Sequence, residues 1–473
     1  MRIVTDFLYL LAAIAISPIA LYRLIRHNRY RKGWAQRLGR ITRKTPQKKC
    51  IWLHAVSVGE VNAATTVVKE LRHKFTDYEI VVSTTTDTGF ARANALFGKD
   101  LRVFYFPLDF SWVIRRAFRN IRPALCLLME LEVWPNFVQT AQQSGIPVVV
   151  VNGRISDRSF AGYRRFRPII KKMFAKVTLV LAQTDEYARR FKELGCSNVI
   201  VSGSLKYDTA DTDDKVEGAD VLARQLNISR HCEPKRSEGA AISKPSDGIA
   251  SAASLTRNDV IEAERFWVAG GTGNDEEAIL LDVYQQLKQD ARFADLRLAI
   301  VPRKPERFDE VAQLIKEKGF DLIRYSQVKK AFTKNAATTE KSSIVNRQSS
   351  IVVLGDTMGD LRKFYSLATI IFVGRSLVPM GGSDMMEAAA LGKCTIFGPH
   401  AFNFKQAVEA LLADNGAILV NNKEELLGAM TKCLSDPDYA QQIAQNGRQV
   451  IIKNQGATQK TIEHISRIPS APS

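Results

Sequence analysis

The sequence predicts an α/β protein built from two doubly wound, Rossmann-like parallel-sheet domains facing across a cleft, with an N-terminal membrane-anchor helix ahead of them. Three observations predict it. Short apolar runs alternate with helix-like stretches along the chain, the grammar of parallel sheets covered by helices on both faces. The alternation comes in two successive series, parted by the polar, acidic run Asp208–Lys215. Ahead of both, Phe7–Leu21 (FLYLLAAIAISPIAL) carries no charge. The expected divisions are 1–25 for the anchor, 26–207 for the first domain and 208–473 for the second.

The anchor comes first. With its apolar edges the run approaches the ~20 residues that a membrane span needs. Arg23, Arg26, Arg29, Arg31 and Lys32 follow at once, with more cations up to Lys49, whereas only Arg2 and the terminus precede it. That asymmetry places the body of the chain on the cytosolic side of a membrane, with a single anchor. A cleaved signal peptide fits less well, because the charge lies on the wrong side. Gly33–Arg40 interleaves Trp34 with basic residues, as an interfacial collar would.

The first series then offers strands at Cys50–Ala55, Glu79–Ser83, Ala124–Met129, Ile146–Val151, Val177–Leu181 and Asn198–Val201. Helical stretches lie between them at Val61–Lys74, Trp134–Ser144 and Asp185–Leu194, with Gly145 and Gly195 where C-caps belong. The second series offers Arg265–Ala269, Leu296–Val301, Ile351–Leu354, Thr369–Val373, Cys394–Phe397 and Ala417–Val420. Residues 227–259 have little apolar content and no period, and read as a disordered surface insertion. Ser342–Val345 recurs at Ser349–Val352, the first copy as loop and the second running into a strand.

The net charge of +18 calls for an anionic partner. Its lysines and arginines concentrate beside the anchor, which favours an anionic membrane surface over nucleic acid. The scattered cysteines form no CxxC pair or Cys/His cluster, so zinc sites and disulfide frameworks read poorly. GxxxxGK[ST], GxGxxG after a strand, HExxH and GxSxG are all absent. Asp211-Thr212-Asp213 matches a DxD metal motif, but it lies in the linker and is discounted.

Ligands of open parallel sheets bind beyond the carboxyl ends of the strands, so the residues there are the candidates. After the first strand, Ser57-Val58-Gly59-Glu60 puts a carboxylate at a helix start, either a first-turn acid or a base. Thr84–Gly89 is a run of hydroxyls suited to a phosphate, a sugar or N-capping. Glu130 and Glu132 end the third strand beside Trp134, and Lys206 in Ser204-Leu205-Lys206 can neutralise an anion or lie on the surface. In the second series, Pro302-Arg303-Lys304-Pro305 offers an arginine to a phosphate. Gly355–Asp360 and Gly381–Ala388 each run from a turn into a helix, and Glu387 can bind ribose hydroxyls. His54 reads as a core or pocket-wall residue, and the role of His400 is open.

The ordered blocks HAVSVGEVNAA, STTTDTGFARA, LMELEVWPN, VNGRISDRS, GSLKYD, VPRKPERF, LGDTMGDL and FGPHAFNFK resemble the Kdo (3-deoxy-D-manno-octulosonic acid) transferases of lipid A and lipopolysaccharide assembly. The resemblance covers nearly the whole chain outside two insertions, 227–259 and 340–350. It implies the two-domain glycosyltransferase B fold. It also implies inverting transfer of Kdo from CMP-Kdo to the tetraacyl-disaccharide lipid A precursor, without cofactor or essential metal. By position, Glu60 would be the general base, with Glu130 and Lys206 assisting the transition state. The implied CMP contacts are Pro302, Arg303, Met358, Gly359, Asp360, Asp384, Met385, Met386 and Glu387.

Three blocks depart from the family pattern. GSTHEGEE reads Gly270–Glu277 (GGTGNDEE), PRHPERF has Lys304 for its histidine, and GGHNPLEA has Ser383-Asp384 for His-Asn. All lie in the nucleotide half. They leave room for a related CMP-activated sugar acid as donor, and a nucleotide-sugar epimerase is the other alternative.

Overall fold

The computed structural model describes residues 5–11, 14, 15, 17, 32–228, 265–334 and 350–469. They form two compact units: residues 1–210 with 454–473, and residues 211–453.

The first unit is built on seven parallel strands: β1 (Lys49–His54), β2 (Tyr78–Thr84), β3 (Arg102–Tyr105), β4 (Leu125–Met129), β5 (Val148–Gly153), β6 (Leu179–Ala182) and β7 (Val199–Val201). Their spatial order is β3-β2-β1-β4-β5-β6-β7. The central strands are apolar and buried almost throughout because helices cover both faces. One face packs Trp52, Phe104, Phe118, Phe137, Phe174 and Phe191 under the helices Ser111–Ile121, Pro135–Gln143, Arg167–Phe174 and Asp185–Glu193. The other packs Leu53, Val82 and Leu127 under Thr65–Lys74 and its neighbours. Ser57, Thr86, Ser156 and Thr184 each cap the helix that follows. Gly145 and Gly195 take the positive φ of a helix exit, at 65° and 112°.

The second unit repeats the plan with β8 (Phe266–Thr272), β9 (Arg297–Pro302), β10 (Asp321–Arg324), β11 (Ile351–Leu354), β12 (Ile370–Val373), β13 (Cys394–Phe397) and β14 (Ile418–Leu419). The order is β10-β11-β9-β8-β12-β13-β14, again all parallel.

Several expectations need correction. β3 and β10 were not expected; both are short edge strands, and β10 is only partly buried, so neither carries the long apolar run of a central strand. The helix expected at Val61–Lys74 is two, Val58–Ala63 and Thr65–Lys74. The chain expected to form one domain from 208 to its end divides before its last helix, Ala457–Ser466. That helix buries Ala457, Ile462 and Ile465 in the first unit's core. Asp208 secures its start by accepting from Gly456 N at 2.7 Å and also from Thr458 N.

Two expectations fall largely outside the described residues: nearly all of the insertion at 227–259, and the first Ser342–Val345 copy. Much of the expected anchor does too. Among the described residues no helix is long and apolar enough to cross a membrane. Residues 5–11 are helical, and Phe7, Leu8, Leu10 and Leu11 are exposed. Asp6 docks this segment by accepting from Ser111 N at 2.9 Å, Ser111 Oγ at 2.5 Å and Asn136 Nδ2 at 2.9 Å.

Candidate active site

The order of the first sheet reverses direction between β1 and β4, so the loops leaving these strands open a crevice at their carboxyl ends. Glu60 stands after β1, in the first turn of Val58–Ala63. Its carboxylate turns back on its own loop, accepting from Val56 N at 2.9 Å and Ser57 Oγ at 3.0 Å. Burial pushes its pKa up to about 7, and the charges of Glu130 and Glu132 push the same way against these hydrogen bonds.

Glu130 stands after β4, with its backbone in the left-handed region at φ 53° and its N–H bonded to Val151 O at 2.9 Å. A residue with a Cβ rarely adopts that conformation, and such strain gathers at functional sites. Two positions on, Glu132 accepts from Trp134 Nε1 at 3.0 Å, and burial raises its pKa as well. The structure thus gathers three carboxylates at the switch point. Glu132 was noted in the sequence but given no role. His54 forms part of the wall: its ring stacks on Phe106 at 3.8 Å, its Nδ1 faces Ser83, and burial lowers its pKa to about 3, so it is neutral.

Lys206 follows β7, the edge strand, four strand spacings from β1, or ~19 Å. Its short helix Leu205–Asp208 is drawn toward β5, because Leu205 N donates to Asn152 Oδ1 at 3.0 Å. Asn152 is itself left-handed, at φ 56°. The hydroxyl run after β2 is partly structural, since Thr86 Oγ1 caps its helix by accepting from Gly89 N at 3.0 Å.

The second sheet reverses between β8 and β12. Here Glu276, fully buried, ties the two loops together. It accepts from the backbone N–H groups of Arg375 at 2.5 Å, Ser376 at 2.9 Å and Leu377 at 3.0 Å. Glu277 is buried beside it and accepts from Arg307 at 2.6 Å and Thr272 Oγ1 at 2.8 Å. The acid pair that closes the GGTGNDEE block therefore organises the loops. Ser383, one of the departures, donates to Gly271 O at 2.7 Å.

The residues singled out in this unit meet different fates. Pro302 is buried at the end of β9, while Arg303 is exposed, with its N–H on Thr272 O at 3.1 Å. Met358 is exposed and Gly359 has φ 87°. The side chain of Asp360 is already engaged by Lys329 and Lys363, each at 2.8 Å, and Thr357 at 2.7 Å. Against the penalty of burial these bonds hold its pKa down to about 2. Met385 and Met386 pack into the core, so only their backbone can face a ligand. Asp384 caps the turn by accepting from Met386 N at 2.9 Å. Burial raises the pKa of Glu387, and the Asp384 charge adds to it, while Arg362 and Arg303 oppose. Arg303, Asp384 and Glu387 therefore share one electrostatic neighbourhood. Sequence reading missed Arg362, which also binds the linker through Asp211 O at 2.8 Å and Asp213 O at 3.1 Å. The discounted DxD run thus has a structural task.

Residues 32–209 match the family model described as 3-deoxy-D-manno-octulosonic-acid transferase (kdotransferase). Over 443 residues the chain is 31% identical to a 3-deoxy-D-manno-octulosonic acid transferase of Haemophilus influenzae, covering 93% of this chain and 92% of the relative. The chain belongs to the Kdo transferase family. It is therefore a glycosyltransferase of Kdo transfer in lipopolysaccharide synthesis. A second Kdo transferase, from Bordetella pertussis, is 29% identical over 96% of this chain and 97% of its own length. Among solved structures, a UDP-GlcNAc 2-epimerase from Neisseria meningitidis aligns with a TM-score of 0.54 at 13% identity, covering 89% of this chain and all of that one. That likeness shows the shared two-domain fold alone. In this Kdo transferase, the matched region takes in Glu60, Glu130 and Lys206.

Proposed function

We propose that this Kdo transferase moves Kdo from CMP-Kdo to the tetraacyl-disaccharide lipid A precursor, with inversion at the anomeric carbon. The observation that carries the reading is the pair Glu60 and Glu130 at the first unit's switch point, with Glu60 titrating near 7. A base of that pKa is largely unprotonated just above neutrality yet basic enough to take a proton from a sugar hydroxyl. Glu60 takes the acceptor proton as the hydroxyl attacks and CMP departs. Glu130, and Lys206 with its positive charge, stabilise the charge that shifts in the transition state. The second unit binds CMP. Arg303 grips the phosphate, the backbone at Gly359 and Asp384–Glu387 frames the nucleotide, and Glu387 takes ribose hydroxyls.

The acceptor is a lipid, and we place the protein at the inner membrane through its N-terminal segment, with its body in the cytosol. The exposed Phe7, Leu8, Leu10, Leu11 and Ile14 and the cations that follow support this.

The test is a transfer assay. Membranes carrying the full chain receive CMP-Kdo and the tetraacyl precursor, and product masses are read. The expected result is a gain of one or more Kdo units that is lost in Glu60→Ala, with CMP binding retained. Near-normal transfer by Glu60→Ala would overturn the assignment of the base. No transfer by a folded, CMP-binding parent would overturn the donor or acceptor.

A further inference from the structure

Tyr365 carries a buried hydroxyl that the fold of the second unit does not use. It lies in Leu361–Leu367, the helix that Asp360 opens at the end of the LGDTMGDL block. The residue is fully buried, and its Oη has no hydrogen-bond partner among the described residues. Other tyrosines of the unit are paired: Tyr284 Oη donates to Leu296 O at 3.0 Å, and Tyr325 Oη to Gln225 Oε1 at 3.1 Å. A buried tyrosine hydroxyl usually finds a partner, because an unpaired one loses its water and gains nothing in return. Phenylalanine would fill the same space without that penalty. Packing alone therefore does not account for the hydroxyl.

Its surroundings point to the nucleotide. Leu361–Leu367 packs against β8 and against Met386–Ala390. Near the end of β8, Gly270 makes room for the ring: a Cβ there would lie 2.3 Å from Tyr365 Oη and 2.5 Å from Cζ. Gly270 O also accepts from Gly374 N at 2.9 Å, so the ring sits at the switch point between β8 and β12. Burial raises the Tyr365 pKa far above that of a free phenol, and the charges of Glu387 and then Asp384 add to it, against Arg303. Oη therefore stays protonated and can only gain by donating. These charged groups are the candidate CMP contacts. Glu387, ionised, is an acceptor within electrostatic reach of that donor.

We propose that Tyr365 is a positioning residue for Glu387: when the nucleotide binds, Tyr365 Oη donates to the Glu387 carboxylate and fixes it to accept from the ribose hydroxyls. This rests on the reading of the second unit as the CMP site and on the part given there to Glu387. The bond satisfies a hydroxyl that is otherwise unpaired, so relief of its penalty adds to nucleotide affinity. One carboxylate can serve the phenol and the ribose together, because its two oxygens offer about four lone-pair sites. The arrangement selects a ribonucleotide over its 2′-deoxy counterpart.

The experiment compares the full chain with Tyr365→Phe and Glu387→Ala. Each is titrated calorimetrically with CMP and with 2′-deoxy-CMP, and each is unfolded in urea. The parent should bind CMP about tenfold or more tightly than 2′-deoxy-CMP. Tyr365→Phe should be at least as stable as the parent. Its CMP affinity should fall several-fold while its 2′-deoxy-CMP affinity stays nearly unchanged, so the ratio of the two moves toward one. Equal losses for both ligands would mark a merely structural role and overturn the proposal. A marked loss of stability in Tyr365→Phe would also overturn it, because the hydroxyl would then be bonded within the fold. A parental ratio in Tyr365→Phe, beside a lost ratio in Glu387→Ala, would overturn Tyr365 and leave the CMP site standing. A parent that does not discriminate, or a Glu387→Ala that keeps the parental ratio, would overturn the part given to Glu387 and the proposal with it.

Discussion

Ser57 Oγ serves Glu60 twice: it donates to the carboxylate at 3.0 Å and accepts from the Glu60 backbone N–H at 3.4 Å. One hydroxyl thus caps the helix that presents the candidate base and also holds the base in place. This is close to a capping box, except that the carboxylate reaches back to Val56 N and not to the N–H of the cap residue. Because the hydroxyl hydrogen-bonds the charged form, it works against the burial that raises the Glu60 pKa.

Ser57→Ala should therefore shift the acid limb of the transfer rate to higher pH. The parent limb is expected near pH 7, the value at which Glu60 titrates. Losing a bond to the carboxylate raises the pKa further, so the variant should recover much of its rate at pH 8.5 but little at pH 6.5. The same change removes an N-cap, which costs about 1 kcal/mol. A pH–rate profile read together with thermal melts separates the two effects. An unmoved acid limb would show that Ser57 acts only as a cap.

Glu60→Gln should change the pH dependence of stability in a set direction. The folded pKa of Glu60, about 7, lies above that of an unfolded glutamate. The parent therefore has the full benefit of the neutral side chain below about pH 4.5 and loses it as pH rises through 7. Glutamine does not titrate. The melting temperature of the variant relative to the parent should rise between pH 5 and pH 8. A difference that stays flat would place the Glu60 pKa at its ordinary value.

What the sequence made legible follows from burial. Strands in the middle of each sheet, such as Leu125–Met129 and Ile370–Val373, are buried on both faces and read as unbroken apolar runs. The edge strands β3 and β10 lack that signal and were missed. Strand-end reading reached Glu60 and Glu130 because their positions depend on strand order and loop chemistry. It could not foresee that Asp360 is already engaged by two lysines, or that Met385 and Met386 turn into the core, because both depend on long-range packing. The closing acids Glu276 and Glu277 stood in plain view in GGTGNDEE. Only the positions of Arg307 and of the Arg375–Leu377 backbone reveal their structural task.

Glu276→Ala should weaken CMP binding through the loops rather than through a ligand contact. The carboxylate accepts from Arg375, Ser376, Leu377 and, at 3.3 Å, Gly273. Truncation leaves these N–H groups without their acceptor, at a cost of about 1–3 kcal/mol for each one that stays buried. Glu276→Gln keeps one acceptor oxygen and should lose less. Calorimetric titration with CMP and urea unfolding of both variants check this. Equal CMP affinity in parent and Glu276→Ala would remove the loop after β12 from the nucleotide site.

Arg307 and Glu277 allow a sharper separation of structure from chemistry. Both are buried, and they meet at 2.6 Å. Arg307 lies in the PRKPERF block, whose neighbour Arg303 is the candidate phosphate contact, so a functional role for Arg307 would be the simple guess from sequence. Its partners, Glu277 and the exposed Glu310, instead raise its pKa and keep it charged within the fold. Arg307→Met should cost about 3–5 kcal/mol, because it strands the Glu277 charge in the interior. Arg307→Met combined with Glu277→Leu removes both charges and should recover a large part of that loss. Urea unfolding of the single and double variants measures the recovery, with CMP affinity measured on the folded double variant. Restored stability with near-parental CMP affinity would fix the pair as a loop brace. Restored stability without CMP binding would instead give Arg307 a direct part in holding the nucleotide.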